Sequence, residues 1–182
     1  MDGLDLLERC YTLLERAVAD RRSPFRTFCI ATSSPDGPQA RFVVLRKASR
    51  SSRGVTFWTD IRSPKVDQLR VDDRLQALFW HPNLGVQLRL TGTVGITTTE
   101  DEDVSALFAS LPDHAVRDYA SLDAPGKAHG RSGFERERAR ENFAVVSLIP
   151  TTCDLLVLER ERHRRFAFDL TAEEPTAVPL VP

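Results

Sequence analysis

The residue types and spacing of one segment predict a binding site for a phosphate group. Arg41 lies within an apolar strand, Thr59 stands near the end of the next strand, and Ser63 and Lys65 stand at the beginning of a helix. A lysine in the first turn of a helix opposes the helix dipole unless an anion binds there. One phosphate would satisfy both cations and both hydroxyls, although Arg41 taken alone also fits a strand-end arginine that reaches water.

The strand that carries Arg41 has two different faces. Side chains of an extended strand point alternately to opposite sides. One set is Arg41, Val43 and Leu45, and the other set is Phe42, Val44 and Arg46. Arg41 therefore shares its face with apolar residues, where an unpaired charge is unfavourable, and we expect it to have an anionic partner.

Hydrophobic periodicity predicts the elements that position these residues. Leu4, Leu7, Tyr11 and Leu14 recur at helical spacing, which predicts a first helix that ends near Asp20. Runs of strand-forming residues predict strands at 27–32, 39–46, 55–59, 75–80, 86–97, 144–149, 154–158 and 164–168.

Further helices are predicted between these strands. One begins at Ser63-Pro64, where the serine is expected to cap the free amides, and others are predicted from residue 99 or 100 to 108, at 113–121 and at 135–142. We expect a surface loop at 123–132 and an extended tail at 175–182. Clustered strands with inserted helices favour a mainly β (α+β) fold, a closed antiparallel barrel with peripheral helices, in a single domain over residues 1–182.

The overall composition limits the classes of partner. The chain has 182 residues, of which 41% are hydrophobic and 28% charged, and its net charge is −1. This charge argues against bulk attraction to nucleic acid or to an anionic membrane. No segment has the ~20 apolar residues of a membrane span, and the arginines of 131–140 alternate with glutamate as in solvated helices. We therefore expect neither nucleic acid nor membrane as a partner.

The cysteines and histidines show no metal-ligand spacing. The three cysteines lie among apolar residues, which is typical of buried thiols in a reducing cytosol and predicts a cytoplasmic protein. His81, His114 and His129 have no partner cysteine or carboxylate at ligand spacing. We therefore predict no metal site.

Four sequence blocks together resemble a known flavoprotein family. The blocks are RFVVLR (41–46), WTD (58–60), SPK (63–65) and QLRLTG (87–92). Their order and spacing resemble the FMN-binding core of the pyridoxamine 5'-phosphate oxidase-like split-barrel family. The resemblance implies an FMN-binding split β-barrel, a homodimer that holds FMN at its interface, and an oxidoreductase activity on a small molecule.

The resemblance also implies roles for individual residues. Arg41, Ser63 and Lys65, with Trp58 and Thr59, would hold the phosphate and ribityl chain of FMN. The remaining positions would border the isoalloxazine ring, namely the backbone of Phe42, Val43, Val44 and Leu45, with Arg46, Gln87 and Arg165. Gln87 and Arg165 are the candidates for the N1/O2 edge, where a donor or cation stabilises the reduced ring.

A histidine near the end of the chain is the candidate acid or base. His163 lies in the run ERERHRR, where a solvated surface histidine is the alternative interpretation. Pro64 replaces the family's usual arginine, which removes one charge from the phosphate site.

The chain departs from the vitamin B6 oxidases at the substrate site. Those enzymes hold the substrate phosphate with a tyrosine, an arginine and a serine, where this chain has Leu107, Leu111 and Ala115. Glu161 also replaces an arginine of their late motif. We therefore expect a related member that oxidises or reduces an unidentified small substrate. The alternatives are a genuine pyridoxamine/pyridoxine 5'-phosphate oxidase and a non-catalytic barrel that binds flavin, deazaflavin or haem.

Overall fold

Six antiparallel strands close into a barrel in the computed structural model, which describes residues 2–128 and 136–182. The described residues form eight strands in all, namely β1 (Thr27–Thr32), β2 (Gln39–Ala48), β3 (Val55–Asp60), β4 (Arg74–His81), β5 (Val86–Thr98), β6 (Phe143–Val157), β7 (Arg164–Asp169) and β8 (Ala177–Leu180). The barrel order is β3-β2-β1-β4-β5-β6, and β6 returns to pair with β3. The carboxyl-terminal half of β6 also pairs with β7, which pairs with β8. The prediction of a mainly β split barrel is therefore confirmed.

Five helices flank this sheet in the described part of the chain: α1 (Gly3–Ala19), α2 (Pro64–Val71), α3 (Glu102–Ala109), α4 (Asp113–Val116) and α5 (Arg136–Asn142). Helix α1 begins with a reciprocal cap in which Asp2 and Asp5 accept each other's backbone amides. Its buried face packs on the barrel, where the Tyr11 hydroxyl donates to the Arg53 carbonyl at 2.8 Å. None of the described helices has the length and hydrophobicity needed to cross a membrane.

Two hydrophobic clusters hold the elements together. The first fills the barrel and the space beneath α1, with Phe28 stacked on Phe79. The second lies outside the barrel, where α3, α4 and α5 cover Phe143 and Val145 of β6 and the ring of Trp58. The second cluster therefore brings the inserted helices next to β3, the strand that carries Thr59.

The sequence-based prediction of two strands at 144–149 and 154–158 was wrong, because β6 is continuous. The ladder between β5 and β6 shifts register at Thr91 and Gly92, where Gly92 lies opposite Pro150. A β-bulge accommodates a proline that would otherwise interrupt the ladder. A Cβ on Gly92 would lie 2.1 Å from the Ile149 carbonyl oxygen, so only glycine allows this close approach.

Two smaller differences concern the start of the helix predicted from residue 99 or 100 and the tail predicted at 175–182. Helix α3 begins at Glu102, because Asp101 accepts the Thr98 amide in a turn that precedes it. The tail predicted only as extended contains β8, which pairs along β7. Part of the predicted loop at 123–132, the start of the predicted helix at 135–142, part of the arginine-rich segment and His129 lie outside the described residues.

Candidate functional site

Strand β2 presents the two faces that its alternation predicts. Val43 and Leu45 are buried inside the barrel, whereas the side chain of Phe42 is 74% exposed and Val44 is also exposed. Arg41 is half-buried and lies near the beginning of this strand. The outer face of β2 is therefore apolar and uncovered next to a cation.

Lys65 joins the end of β3 to the beginning of α2. Its Nζ donates to the Oγ1 of Thr59 and to the Oγ of Ser63, each at 3.0 Å, and the two hydroxyls lie 3.2 Å apart. Thr59 and Ser63 are both buried. The structure thus brings together three of the residues that the sequence assigns to a phosphate.

The expected cap of α2 by Ser63 was wrong, since its side chain makes no capping hydrogen bond. Its hydroxyl instead faces Thr59 and Lys65. In this fully described turn, Pro64 has no N–H, and the amides of Ser63 and Val66 donate to backbone carbonyls. The amide of Lys65 is left as a donor for a ligand.

The polar partners of Arg41 come from β1 and α2. Its guanidinium donates to the Oγ1 of Thr32, and its Nη2 donates to the Oε1 of Gln68 at 3.2 Å. Thr32 also donates to Gln68 at 2.6 Å. Strand pairing accounts for the contact between Arg41 and Thr32, because Arg41 lies opposite Ile30 and is therefore the diagonal neighbour of Thr32. Gln68 lies one helical turn after Lys65, which places it on the same side of α2.

The two cations lack an ion-pair partner in the described part of the chain. Burial lowers the pKa of Lys65, and the nearby charge of Arg41 lowers it further. Burial also lowers the pKa of Arg41. Asp60, a carboxylate whose charge acts on Lys65, is held by Arg62, whose Nε and Nη2 donate to it at 3.0 and 2.7 Å. Arg62 is therefore paired with Asp60, and it does not supply the positive charge that is missing where Pro64 replaces the family's usual arginine.

This arrangement fits the phosphate of FMN. Two cations that are close enough to affect each other's charge, two buried hydroxyls and an open helix amide come from the neighbouring elements β2, β3 and α2. Charge-assisted hydrogen bonds to a phosphate would each be worth about 1.5–3 kcal/mol. A bound phosphate would also offset the electrostatic repulsion between Lys65 and Arg41, because it carries the opposite charge.

Arg46 forms a second cationic centre on the outer face of β2. Its guanidinium lies over the Trp58 ring, 4.3 Å from the centroid. It also lies beside Tyr119, a buried residue that the sequence reasoning missed. Burial raises the pKa of Tyr119 to about 12, and the charge of Arg46 opposes this rise. Nothing in the local pattern indicates Tyr119, because it reaches Arg46 only through the packing of the second cluster.

Gln87, Arg165 and His163 lie on other elements than the cations described above. Gln87 is half-buried on the outer side of β5. Gln87 pairs with Leu156, and Leu156 pairs with Arg165, so Gln87, Leu156 and Arg165 form one row across the sheet. Thr59 pairs with Ala144, at the opposite end of β6 from Leu156. Roughly 40 Å of strand, measured along the bulged β6, lies between these two positions. His163 is exposed in the loop before β7.

Arg165 pairs with a carboxylate that the sequence reasoning did not consider. Its Nε and Nη2 donate to Asp154 at 3.1 and 2.7 Å, and Arg89 donates to the same carboxylate. The contact between Arg89 and Asp154 follows from the register of β5 and β6, which places the two residues directly opposite each other. Among the described residues, no group of three or more histidines, cysteines or carboxylates is placed to hold a metal.

Known proteins show the same core. Residues 8–98 match the family described as pyridoxamine 5'-phosphate oxidase, FMN-binding domain. A pyridoxine/pyridoxamine 5'-phosphate oxidase of Rubrobacter xylanophilus is 37% identical over 84 residues, which are 46% of this chain and 37% of that protein. One from Psychrobacter arcticus is 24% identical over 71% of this chain and 60% of that protein. The matched segments thus span less than two thirds of these relatives.

Solved structures extend the similarity to almost the whole chain. A pyridoxamine 5'-phosphate oxidase-related, FMN-binding protein of Nostoc punctiforme superposes with a TM-score of 0.77 at 25% identity, covering 96% of this chain and 95% of that one. PhzG of Burkholderia lata, solved with tetrahydrophenazine-1-carboxylic acid, superposes with a TM-score of 0.74 at 20% identity, covering 100% of this chain and 93% of that one, and shows the same fold. With half of its length matched to the family and a cation–hydroxyl site that fits a phosphate, the chain belongs to the pyridoxamine 5'-phosphate oxidase FMN-binding family, and its cofactor is FMN.

Proposed function

We propose that this protein is an FMN-dependent oxidoreductase that acts on a small substrate without a phosphate group. The observation that carries the proposal is the pair of half-buried cations, Lys65 and Arg41, beside two buried hydroxyls. In this proposal the single domain of residues 1–182 binds FMN through that cluster. The bound flavin supplies hydride transfer, and the protein orients it and excludes water.

The phosphate end of FMN is held by residues of β2, β3 and α2. Lys65 and Arg41 supply charge, Thr59 and Ser63 supply hydroxyl donors, and the amide of Lys65 supplies a backbone donor. Thr32 and Gln68 keep the Arg41 guanidinium in place, because each accepts one of its N–H groups. Trp58 lies next to this cluster and borders the ribityl chain.

The ring of the flavin borders the outer face of β2. The backbone of residues 42–45 lies along this face, and the exposed side chains of Phe42 and Val44 leave room for a flat apolar surface. Arg46, fixed over Trp58 beside Tyr119, presents a cation at the end of the same strand.

The rest of the site comes from a second copy of the chain. Gln87, Arg165 and His163 lie on β5, on β7 and in the loop before β7, whereas Thr59 lies beside the other end of β6, and we assign these three residues to the flavin held by the partner subunit. The outer surface of the sheet that bears Gln87 and Arg165 also carries exposed apolar side chains on β2, β4 and β8. They are Phe42, Val44, Trp80, Val178 and Leu180. A homodimer that buries this face removes these side chains from water and brings each flavin to the partner.

Within this dimer the partner's residues have distinct roles. Gln87 of the partner subunit offers an amide donor, and Arg165 of the partner subunit offers a cation that stabilises negative charge on the ring. His163 of the partner subunit is the candidate acid or base, because it lies two residues before Arg165 in an exposed loop.

The substrate preference follows from the inserted helices. Leu111 is buried in the second cluster, and Leu107 packs against the same cluster. Neither side chain offers a donor to an anion, and Ala115 offers none either. A substrate phosphate would therefore lack partners here, which argues against a genuine vitamin B6 oxidase.

Two measurements test this function. We expect Arg41→Ala to weaken FMN binding about tenfold, through the loss of a charge-assisted bond, while riboflavin, which has no phosphate, binds equally well to both proteins. Arg74→Ala is the matched control, because Arg74 is an exposed arginine paired with Asp72. Equal FMN affinity in wild type and Arg41→Ala would contradict the assignment of the phosphate site.

The second measurement addresses catalysis. Reduction of the bound flavin is followed with pyridine nucleotides, with pyridoxine and its 5'-phosphate, and with unphosphorylated aromatic acids. Faster reduction by an unphosphorylated compound than by the vitamer phosphate supports the proposal. Reduction by dithionite alone would instead favour a flavin-binding protein without catalysis.

A further inference from the structure

The outer sheet face holds a cluster of three charged residues with one positive charge in excess. Arg89 lies directly opposite Asp154 in the β5–β6 ladder, and Arg165 lies diagonally across the β6–β7 ladder. Both arginines donate to Asp154, and the Asp154 side chain is 20% exposed. The three residues are referred to below as the Arg–Asp–Arg cluster.

Asp154 holds Arg165 in one orientation. The Nε and Nη2 of Arg165 donate to the two oxygens of the carboxylate, at 3.1 Å to Oδ1 and 2.7 Å to Oδ2. This two-point contact fixes the plane of the guanidinium. The Nη1 of Arg165 makes no hydrogen bond within the described residues and stays available to a ligand.

The cluster keeps its charges at neutral pH. Burial alone would raise the pKa of Asp154, but the hydrogen bonds from Arg165 and Arg89 outweigh it and hold the pKa below its ordinary value. Asp169, on the same face of β7, accepts instead from Thr171. The excess positive charge is thus not neutralised by this neighbouring carboxylate.

One donor of the cluster is also unsatisfied. The Nε of Arg89 is buried and has no hydrogen-bond partner among the described residues. Burial of the surrounding face in a dimer would make an unbalanced cation and an open donor more unfavourable, unless an anionic group approached them.

We propose that Asp154, assisted by Arg89, is a positioning residue that holds Arg165 against the N1/O2 edge of the flavin bound by the partner subunit. The inference rests on the proposed dimer and on its shared flavin site. Asp154 does not touch the flavin. It fixes the guanidinium plane, and Arg89 supplies the extra positive charge that a reduced, anionic ring requires.

The test is a double-mutant cycle between Asp154 and Arg165 in the full-length holoprotein. Asp154→Asn, Arg165→Met and the double variant are compared for FMN affinity and for the reduction potential of the bound flavin. We expect Asp154→Asn to raise the Kd for FMN about tenfold and to lower the potential. We expect Asp154→Asn neither to weaken FMN binding further nor to lower the potential when it is added to Arg165→Met, because no guanidinium is then left to be displaced.

The sign of the potential separates positioning from simple charge. Removing a negative charge near the flavin would raise its potential if Arg165 kept its place. A fall in potential therefore shows that Arg165 has moved away. A rise, an unchanged potential, or an equal effect of Asp154→Asn in the Arg165→Met background would overturn the proposal.

Two further variants complete the design. Asp169→Asn is the matched control, since Asp169 is a carboxylate on the same face of β7 that accepts from Thr171 and, among the described residues, from no arginine; it should leave the FMN affinity unchanged and should not lower the potential. If Asp154→Asn does not fold, Arg89→Met replaces it. This variant removes the excess charge but keeps the Asp154–Arg165 contact, and we expect a lower potential; an unchanged potential would overturn the role of the cluster.

Failure of this inference is distinguishable from failure of the proposed function. Loss of FMN binding in Arg41→Ala, together with unchanged properties of Arg165→Met, would leave the phosphate site standing and remove Arg165 from the flavin. Unchanged FMN binding in Arg41→Ala would contradict the proposed phosphate site itself.

Discussion

The Nζ of Lys65 donates to the Oγ of Ser63 at 3.0 Å, so the hydroxyl at the beginning of α2 is turned away from the helix amides. A serine in this position usually caps its helix, and replacing such a cap costs about 1 kcal/mol. The stabilisation that a cap would give is absent here, and the hydroxyl serves a cation instead. An arrangement of this kind favours ligand binding over stability.

The first prediction follows from the burial of Lys65. We expect Lys65→Met to weaken FMN binding about tenfold or more, because a charge-assisted bond to the phosphate is lost. The same variant should raise the Tm of the FMN-free protein, since a buried cation near Arg41 is removed. Fluorescence titration and thermal unfolding measure the two effects.

Lys47→Met is the control for this prediction. Lys47 is exposed on β2, and its replacement should change neither the FMN affinity nor the Tm. A fall in the Tm of FMN-free Lys65→Met would contradict the view that Lys65 is unfavourable without its ligand.

The second prediction concerns the pH dependence of stability. Burial lowers the pKa of Lys65 in the folded chain below its ordinary value. The unfolded chain therefore binds more protons between the lowered pKa and the ordinary one, and stability rises with pH across that window. At lower pH the lysine is charged in both states, and its unfavourable effect is fully present.

Comparison with Lys65→Met isolates this contribution. Urea unfolding of both FMN-free proteins is measured from neutral pH to about pH 10.5, near the ordinary lysine pKa. We expect the stability difference between them to shrink as the pH rises. A constant difference would mean that Lys65 titrates as it does in the unfolded chain.

The third prediction tests the bulge between β5 and β6. We expect Gly92→Ala to destabilise the protein by several kcal/mol, because the added Cβ would lie 2.1 Å from the Ile149 carbonyl and 2.6 Å from the Cα of Pro150. Gly95→Ala, on the same strand, is the control, since no atom of the described residues outside its chain neighbours lies within 4 Å of its added Cβ. Equal midpoints of denaturation for the two variants would refute the close approach.

The fourth prediction tests the proposed dimer face. We expect Phe42→Glu to give a monomer by light scattering, because it places a charge in an apolar interface. The same variant should lose FMN, since half of the proposed site comes from the partner. Val71→Glu is the control, because Val71 is 90% exposed on α2, away from that face. A Phe42→Glu monomer that still binds FMN tightly would contradict a shared site.

Much of the phosphate site could be predicted because its signals are local. The alternation along β2 predicts which side chains of 41–46 face the barrel, and the proline at the start of α2 predicts where Lys65 stands. The order and spacing of four short blocks indicated the family and therefore FMN. Such signals depend on residues a few positions apart, whose geometry is set by the backbone repeat.

Only the tertiary structure decided which side chains meet across the fold. The contacts of Arg41 with Gln68, of Arg46 with Tyr119 and of Arg165 with Asp154 join different elements. Strand register decides the contact of Arg165 with Asp154. The packing of α2 on the barrel decides the contact of Arg41 with Gln68, and the packing of the second cluster brings Tyr119 to Arg46. Strand pairing also decides that β6 continues through Pro150 as one strand, because the bulge forms only when Gly92 lies opposite the proline. The sequence by itself thus determined the barrel class and its cofactor, whereas tertiary packing decided the orientation of the cations around the site.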